Sequence, residues 1–174
     1  CENMAEINKI DMGFSLIAGV KDIINLDFLW PQQDQNKHFF DKLTHGEYLN
    51  SGFLLMNLKK IRSENLYAEW VKMSRRSYLK YPDQDILNYT CEGKKFFLPQ
   101  KYNFIPLKYS KILRTDLYSS EEHMDAILHP VMIHYAGMTK KLLKEKFFHQ
   151  YARMAAESIT PNNSANKSSS ITKF

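Results

Sequence analysis

The clearest pattern in the chain lies at residues 53–56, where four apolar residues follow one another without a polar break. Such a run is typical of a short strand that is buried on both faces, as in a sheet covered by helices. A helix is predicted from residue 63 or 64 to residue 80, because Leu66, Trp70 and Met73 recur at helical spacing. The pattern therefore places a buried strand shortly before an amphipathic helix.

Further predicted elements alternate in type along the chain. A helical turn over residues 4–11 precedes a strand over 15–20, and Pro82 ends the long helix, so that a second helix opens at residue 83. The remaining predicted elements are a strand at 95–98, a helix at 121–127 and a strand at 131–135. Strands that alternate with helices indicate an α/β fold, which we expect to be built on a mostly parallel sheet.

Small polar residues precede the apolar run. Asn50, Ser51 and Gly52 combine side-chain donors and acceptors with a glycine that lets another chain segment approach closely. Such groups at the end of a strand suit a polyhydroxylated ligand. Asn-Ser-Gly is also a common turn composition, and taken alone the three residues favour an ordinary turn.

Acidic residues open the helix that follows Pro82. Asp83 and Asp85 suit the first turn of a helix, where negative charge is favourable, and helix capping alone would explain them. The two aspartates also match the aspartate-x-aspartate pattern of a metal-binding loop. Their position at a helix start, with Ile86 and Leu87 following, argues against a metal loop.

A histidine lies near the end of the strand predicted at residues 131–135. In isolation, such a residue is more often a hydrogen-bonded core histidine than a ligand. The spacing of His134, Gly137 and Lys140 favours a ligand role. An imidazole can bind a divalent ion, a glycine N–H can reach an oxyanion, and a lysine can neutralise a phosphate.

Three blocks, taken together and in order, resemble glycosyltransferase family 8, whose members are retaining sugar-nucleotide transferases. The blocks are Tyr48 to Leu58 (YLNSGFLLMNL), Asp83 to Asn88 (DQDILN) and His134 to Lys140 (HYAGMTK), with the segment Tyr102 to Phe104 between the last two. The resemblance implies an α/β fold of the GT-A type. Lys141 and Leu142 depart from the family pattern, which has Pro-Trp at these two positions. This departure leaves the placing of Lys140 open.

The resemblance implies transfer of a hexose from a nucleotide diphosphate sugar, expected to be a UDP-hexose, to an acceptor hydroxyl with retention at the anomeric carbon. It also implies Mn²⁺ or Mg²⁺ as a cofactor that offsets charge on the leaving phosphate. The implied site residues are Asp83, Gln84 and Asp85 for catalysis, Asn50, Ser51 and Gly52 for the donor sugar, Gly137 and Lys140 for the diphosphate, and His134 for the metal.

The family's own aspartate-x-aspartate loop would lie before Cys1. We therefore expect residues 1–140 to be the C-terminal portion of a catalytic domain, incomplete at the N-terminus and inactive by itself. The alternative is a non-catalytic remnant that binds carbohydrate or pairs with a partner protein.

Charge and composition narrow the classes of function. The 174 residues carry a net charge of +5, and seven basic against two acidic residues after position 137 account for the whole excess. The balanced remainder lacks a basic face interleaved with aromatic residues, so nucleic acid is not an expected partner.

The sequence predicts a cytoplasmic protein. Its two cysteines, Cys1 and Cys91, have neither metal nor redox spacing, and the chain lacks an apolar leader.

Two further segments are predicted after residue 140. Residues 141–157 predict a basic amphipathic helix, which either docks on the domain or attaches the protein peripherally to an anionic inner-membrane surface. Membrane attachment would favour a glycan or glycolipid acceptor of the lipopolysaccharide type. Residues 158–174 are rich in Ser and Asn and predict a disordered tail.

Overall fold

The structure is a computed structural model that describes residues 4–23, 47–106 and 117–135. Gly137, Lys140, the basic helix predicted at 141–157 and the tail predicted at 158–174 lie outside the described residues. Within the described ranges, no helix is both long enough and apolar enough to cross a membrane.

A three-stranded sheet forms the centre of the described residues. Its strands are β1 (Ile17–Lys21), β2 (Leu49–Met56) and β3 (Lys95–Phe97), in the order β2-β1-β3. β1 pairs antiparallel with β2 and parallel with β3, so this sheet is mixed. Between Gly19 and Lys21 the register of β1 against β2 shifts. One isolated parallel bridge joins Phe104 to Ile133.

Short helices surround this sheet. The described α-helices are α1 (Leu58–Ser63), α2 (Leu66–Met73), α3 (Pro82–Thr90) and α4 (Ser120–Leu128), and 3₁₀ helices span Met4–Lys9 and Gln100–Asn103. Side chains cap two of the starts, because Asn57 accepts from the backbone of Lys60 and Ser119 accepts from that of Glu122, each over 3.1 Å. Pro82 occupies the first turn of α3, where its missing N–H leaves no hydrogen bond unmade.

β1 is the most deeply buried strand of the sheet, and its residues are divided between two apolar clusters. One cluster contains Leu16, Ile17, Leu49, Ile61, Leu66 and Cys91. The other contains Ala18, Val20, Leu98, Tyr102 and Val131. In contrast, Phe53, Leu54 and Leu55 are only half-buried, and Met56 is exposed. The prediction that residues 53–56 form a strand buried on both faces is therefore wrong. The strand with that burial is β1.

Several predicted boundaries differ from the structure. β2 begins at Leu49, so residues 50–52 lie inside the strand, and the turn favoured for them alone is wrong. The helix predicted from residue 63 or 64 to residue 80 is shorter in the structure, because α2 begins only after Asn65, which adopts a left-handed backbone with φ of 54°, and ends at Met73. The strand predicted at 131–135 is reduced to the bridge at Ile133. The α/β class is confirmed, and so is a new helix, which opens at Pro82 and not at residue 83. Pro82 does not end the preceding helix, since α2 already ends at Met73.

Candidate functional site

Polar side chains converge at the carboxyl end of β1. Asp22 directly follows that strand, and the antiparallel register sets Leu49, the first residue of β2, opposite Lys21. Because β2 starts where β1 ends, Asn50 and Ser51 lie at the same edge of the sheet as Asp22. Ligands of α/β sheets bind at this kind of edge.

The side chain of Asn50 connects three segments of the chain. Its Nδ2 donates to Asp22 Oδ2 over 2.8 Å, and its Oδ1 accepts from Gly52 N over 2.9 Å and from Asn103 Nδ2 over 2.8 Å. Asn50, Asp22 and Asn103 are all buried. The amide of Asn50 therefore acts chiefly inside the protein, where it fixes the local path of β2 against neighbouring segments.

Gln84, on the first turn of α3, joins the same network. Its Nε2 donates to Asp22 Oδ2 over 2.8 Å, and its Oε1 accepts from Ser51 N over 2.9 Å. Asp83, which directly precedes Gln84, is exposed and accepts a hydrogen bond from Ser51 Oγ over 2.7 Å. The structure therefore brings together Asn50, Ser51, Asp83 and Gln84, and it puts the hydrogen-bonded pair Ser51 and Asp83 on the outer side of the network.

Asn88 lies one turn beyond Gln84 on α3 and holds the start of β2. Its Oδ1 accepts from Leu49 N over 2.7 Å, and its Nδ2 donates to Leu49 O over 2.8 Å and to Gln84 O over 2.9 Å. A neighbouring strand would normally satisfy such backbone groups. Here one buried amide side chain does so, and it sets the distance between α3 and the strand that carries Asn50 and Ser51.

Asp85 has no exposed surface and lies beneath the site. Its Oδ1 accepts a short hydrogen bond from the hydroxyl of Tyr48, and its Oδ2 accepts from Lys80 N over 2.8 Å and Tyr81 N over 3.0 Å. Burial raises the pKa of the Asp85 carboxyl, while these three hydrogen bonds lower it. Burial, together with the nearby Asp85, raises the pKa of Tyr48. Asp85 therefore faces the protein interior.

The imidazole of His134 lies against Gly52. A β-carbon built on Gly52 would be 2.2 Å from both Nδ1 and Cε1 of the ring, so a side chain at position 52 and this ring position exclude each other. Nδ1 is buried and has no hydrogen-bond partner among the described residues. Burial lowers the pKa of His134, and the negative charge of Asp22 opposes that shift.

Comparison with known structures defines the class of fold. The galactosyltransferase LgtC in complex with donor and acceptor sugar analogues is similar, with a TM-score of 0.58 at 23% identity over 94% of this chain and 59% of that chain. The apo structure of the bifunctional glycosyltransferase WbbM has a TM-score of 0.56 at 23% identity over 79% and 27%. The fold is therefore that of the GT-A glycosyltransferases, and the predicted fold type is confirmed.

Sequence comparison supplies the family. The sequence model of Glycosyl transferase family 8 matches residues 1–141, and the chain belongs to that family. The lipopolysaccharide 1,2-glucosyltransferase of Escherichia coli (strain K12) is 29% identical over 79% of this chain and 39% of that protein. The lipopolysaccharide 1,3-galactosyltransferase of Salmonella typhimurium (strain LT2) is 28% identical over 53% and 27%. The chain spans less than half the length of either relative.

Enzymes of this family and fold generally use a divalent metal ion. In the ranges that the structure describes, no three side chains of His, Cys, Asp or Glu lie together as a metal site requires. Asp83 and Asp85 do not form such a site, because Asp85 is fully buried and bonded to Tyr48 and the backbone. The described residues alone therefore do not form a complete metal site, and His134 is the one predicted metal ligand among them.

Four residues of the network were not singled out from the sequence: Asp22, Tyr48, Asn88 and Asn103. Asp22 directly follows a predicted strand, which is a position where ligand-binding carboxylates are common, so its sequence position could have indicated it. The two asparagines and Tyr48 lie inside or beside the family-like blocks, but their residue types alone do not distinguish a structural role. Whether any predicted site residue contacts a ligand stays a prediction.

Proposed function

We propose that this protein transfers a hexose, with retention of configuration, from a nucleotide diphosphate sugar to a hydroxyl of a glycan or a lipopolysaccharide-type acceptor. The observation that carries the proposal is the network of Asp22, Asn50 and Gln84 at the carboxyl edge of β1, with Ser51 and Asp83 on its outer side. Membership of Glycosyl transferase family 8 supports it, and so do the names of two relatives as a lipopolysaccharide glucosyltransferase and a lipopolysaccharide galactosyltransferase.

The pair formed by Ser51 and Asp83 is suited to bind sugar hydroxyls. Asp83 is exposed and uses one carboxylate oxygen for Ser51 Oγ, so the carboxylate keeps acceptor capacity for a hydroxyl of the donor sugar. Asp22, Asn50 and Gln84 hold this pair in place, because their amide and carboxylate groups are bonded to one another. We assign Asp83 to the sugar and Asn50 and Gln84 to positioning.

The burial of Asp85 bears on the mechanism. A carboxylate with no exposed surface and three internal donors is poorly placed to attack an anomeric carbon, so we assign it no nucleophilic role. Retention then favours front-face displacement. The bond from the anomeric carbon to the leaving phosphate oxygen breaks while the acceptor oxygen bonds on the same face, and the departing phosphate takes the acceptor's proton.

A bound Mn²⁺ or Mg²⁺ would offset negative charge on the diphosphate. Among the described residues, His134 is our candidate for holding it. The buried Nδ1 leaves Nε2 as the ring nitrogen for such a contact, and the low pKa favours the neutral imidazole that metal binding needs. From the sequence alone, Gly137 and Lys140 remain our candidates for the diphosphate.

We further propose that the protein acts in the cytoplasm and attaches to the inner face of the membrane. The basis is the sequence after residue 137, where the whole positive excess lies next to apolar residues. A lipid-linked acceptor would suit an enzyme held at that surface.

Donor binding tests the proposal. Calorimetric titration of the purified protein with UDP-glucose and UDP-galactose, each with Mn²⁺, should detect binding of at least one donor. Asp83→Asn should weaken this binding about tenfold or more, because it removes a charged acceptor from an exposed pair. Asp11→Asn is the matched control, since Asp11 is also exposed but precedes β1.

The outcomes separate the two functions considered. Donor binding that is weakened in Asp83→Asn supports the transferase. Binding of a glycan without nucleotide, and without any turnover, supports the non-catalytic alternative. No binding of either donor, in a folded protein, contradicts the proposed function.

A further inference from the structure

Tyr48 and Asp85 form a buried pair at the junction between β2 and α3. Tyr48 is 2% exposed and packs with Met73, Leu79 and Ile86 in an apolar cluster. Its hydroxyl donates to Asp85, which is 0% exposed. Apolar surroundings strengthen such a bond and make its loss costly, since few alternative partners are at hand.

The other carboxylate oxygen of Asp85 holds the chain just before α3. Oδ2 accepts from the backbone of Lys80 and Tyr81, and Asp85 N in turn donates to Tyr81 O over 2.7 Å. The segment before the helix and the first turn of the helix are thus bonded in both directions. The start of α3 is fixed by this exchange, and Asp83 and Gln84 lie in that first turn.

The two halves of the site meet through this pair. Tyr48 directly precedes β2 and lies two residues before Asn50, and Asp85 directly follows Gln84 on α3. Any movement of α3 away from β2 would break the Tyr48 bond together with the bonds from Ser51 to Asp83 and Gln84.

We propose that Tyr48 and Asp85 are positioning residues, which act through Asp83 and Gln84 by holding the first turn of α3 against β2 in the geometry that binds the donor sugar. This inference rests on the proposed function. Neither residue contacts the ligand in this assignment.

The positioning depends on the charge of Asp85. An ionised carboxylate accepts from Tyr48 and from both backbone amides, whereas a protonated one must itself donate and loses acceptor capacity. Among the described residues, the titratable groups that face this pair are Tyr81 before α3, Asp83 on α3 and Asp22 after β1. Asp83 raises the pKa of Asp85 and Tyr48 lowers it.

The test is the pH dependence of donor binding by Tyr48→Phe. Removal of the hydroxyl removes an influence that lowers the pKa of Asp85, so the carboxyl becomes protonated at a higher pH. The acid-side midpoint for binding of UDP-glucose or UDP-galactose should rise by about one pH unit, as expected for one hydrogen bond to a carboxylate.

Tyr67→Phe is the matched control, because Tyr67 lies on α2 and is 72% exposed. It should leave the midpoint unchanged. Asp85→Asn is the second variant, since residue 85 can then no longer ionise, and adding Tyr48→Phe to it should leave the acid-side midpoint unchanged. An unchanged midpoint in Tyr48→Phe alone, or an equal rise of the midpoint when Tyr48→Phe is added to Asp85→Asn, overturns the inference.

Hydrogen exchange on the free protein separates this inference from the proposed function. The amides of Lys80 and Tyr81 should exchange at least tenfold faster in Tyr48→Phe than in the unsubstituted protein near the midpoint pH. If neither donor binds but exchange shows this change, the proposed function fails and the role in holding α3 stands. If a donor binds but the exchange of both amides is unaffected, the positioning role is overturned.

Discussion

The ring of His134 occupies the space that a side chain on Gly52 would need, with Nδ1 and Cε1 each 2.2 Å from the position of such a β-carbon. The glycine of the Asn-Ser-Gly segment was expected to let another chain segment approach closely. In the structure, the group that approaches it is the imidazole of His134. Gly52 and His134 therefore form a complementary pair.

Gly52→Ala should destabilise the protein by about 1–3 kcal/mol, because the added methyl group forces the imidazole to move. In a His134→Ala background the same change should cost at least about 0.5 kcal/mol less. Some cost should remain, since Asn50 Oδ1 also lies 2.8 Å from the new β-carbon. Urea unfolding of the four proteins in this cycle measures both values. If the losses of unfolding free energy from Gly52→Ala and His134→Ala are additive, the imidazole is not what excludes a side chain at position 52.

His134 should titrate below its ordinary pKa of 6.5, because burial disfavours the imidazolium. A lowered pKa means that the unfolded state binds the proton more readily, so this residue's contribution to stability is present above pH 6.5 and is lost as the pH falls through the folded-state pKa. NMR titration of the ring protons measures the value. A pKa at or above 6.5 would contradict the burial described for the ring.

His134→Ala should weaken binding of Mn²⁺ in the presence of UDP by at least about tenfold, since it removes one of few ligands. Mn²⁺ electron paramagnetic resonance counts free and bound ion without relying on turnover. His129→Ala is the control, because His129 is exposed at the end of α4 and bonds to Asp125. Equal affinity in both variants would exclude His134 as a ligand.

Asn88→Ala should lower the free energy of unfolding by about 2–4 kcal/mol. It leaves the N–H and C=O of Leu49 without their side-chain partner, and each buried unpaired group costs about 1–3 kcal/mol. Asn8→Ala, in the exposed 3₁₀ helix near the start of the described residues, should cost under about 0.5 kcal/mol. A small effect at Asn88 in urea unfolding would mean that water replaces the amide.

The segment at residues 141–157 should bind anionic vesicles reversibly. Each basic residue near an anionic surface contributes about 1 kcal/mol, and salt screens that attraction. Co-sedimentation of the purified protein with phosphatidylserine vesicles should therefore be strong at low salt and weak at high salt. Vesicles of phosphatidylcholine alone are the control. Absence of binding at low salt would favour docking of this segment on the domain.

Much of the outline follows from local pattern. The helix opening at Pro82 was predictable because proline and acidic residues favour the first turn of a helix. The apolar run at residues 53–56 correctly predicted a strand. It did not predict how deeply that strand is buried, because an apolar run carries no information on how many neighbouring segments cover it. Local pattern also missed the first half of β2, since Asn50 and Ser51 have turn composition. Their partners lie far away in sequence, with Asn50 bonded to Asp22 and Asn103, and Ser51 bonded to Gln84 on α3.

The sequence predicted which residues lie at the site better than it predicted the role of each one. Asp83, Gln84 and Asp85 are adjacent in sequence, yet Asp83 is exposed, Gln84 bonds to Asp22 and Ser51, and Asp85 is buried against Tyr48. Such differences arise because successive positions of a helix point in different directions, about 100° apart. Contacts between distant segments, such as Asn50 with Asn103, have no signature in either segment.

The amide side chains along α3 also limit how another strand could extend the sheet. The backbone groups of Leu49 and the N–H of Ser51 are already bonded to Asn88 and Gln84. A strand added beside β2 on that edge would have to start pairing after Ser51, along residues 53–56. Because a shift by one residue turns every side chain to the opposite face, this boundary also restricts the register. Within the described sheet, where β2 lies at the edge, the same amides that shape the site thus protect half of that strand from misaligned pairing.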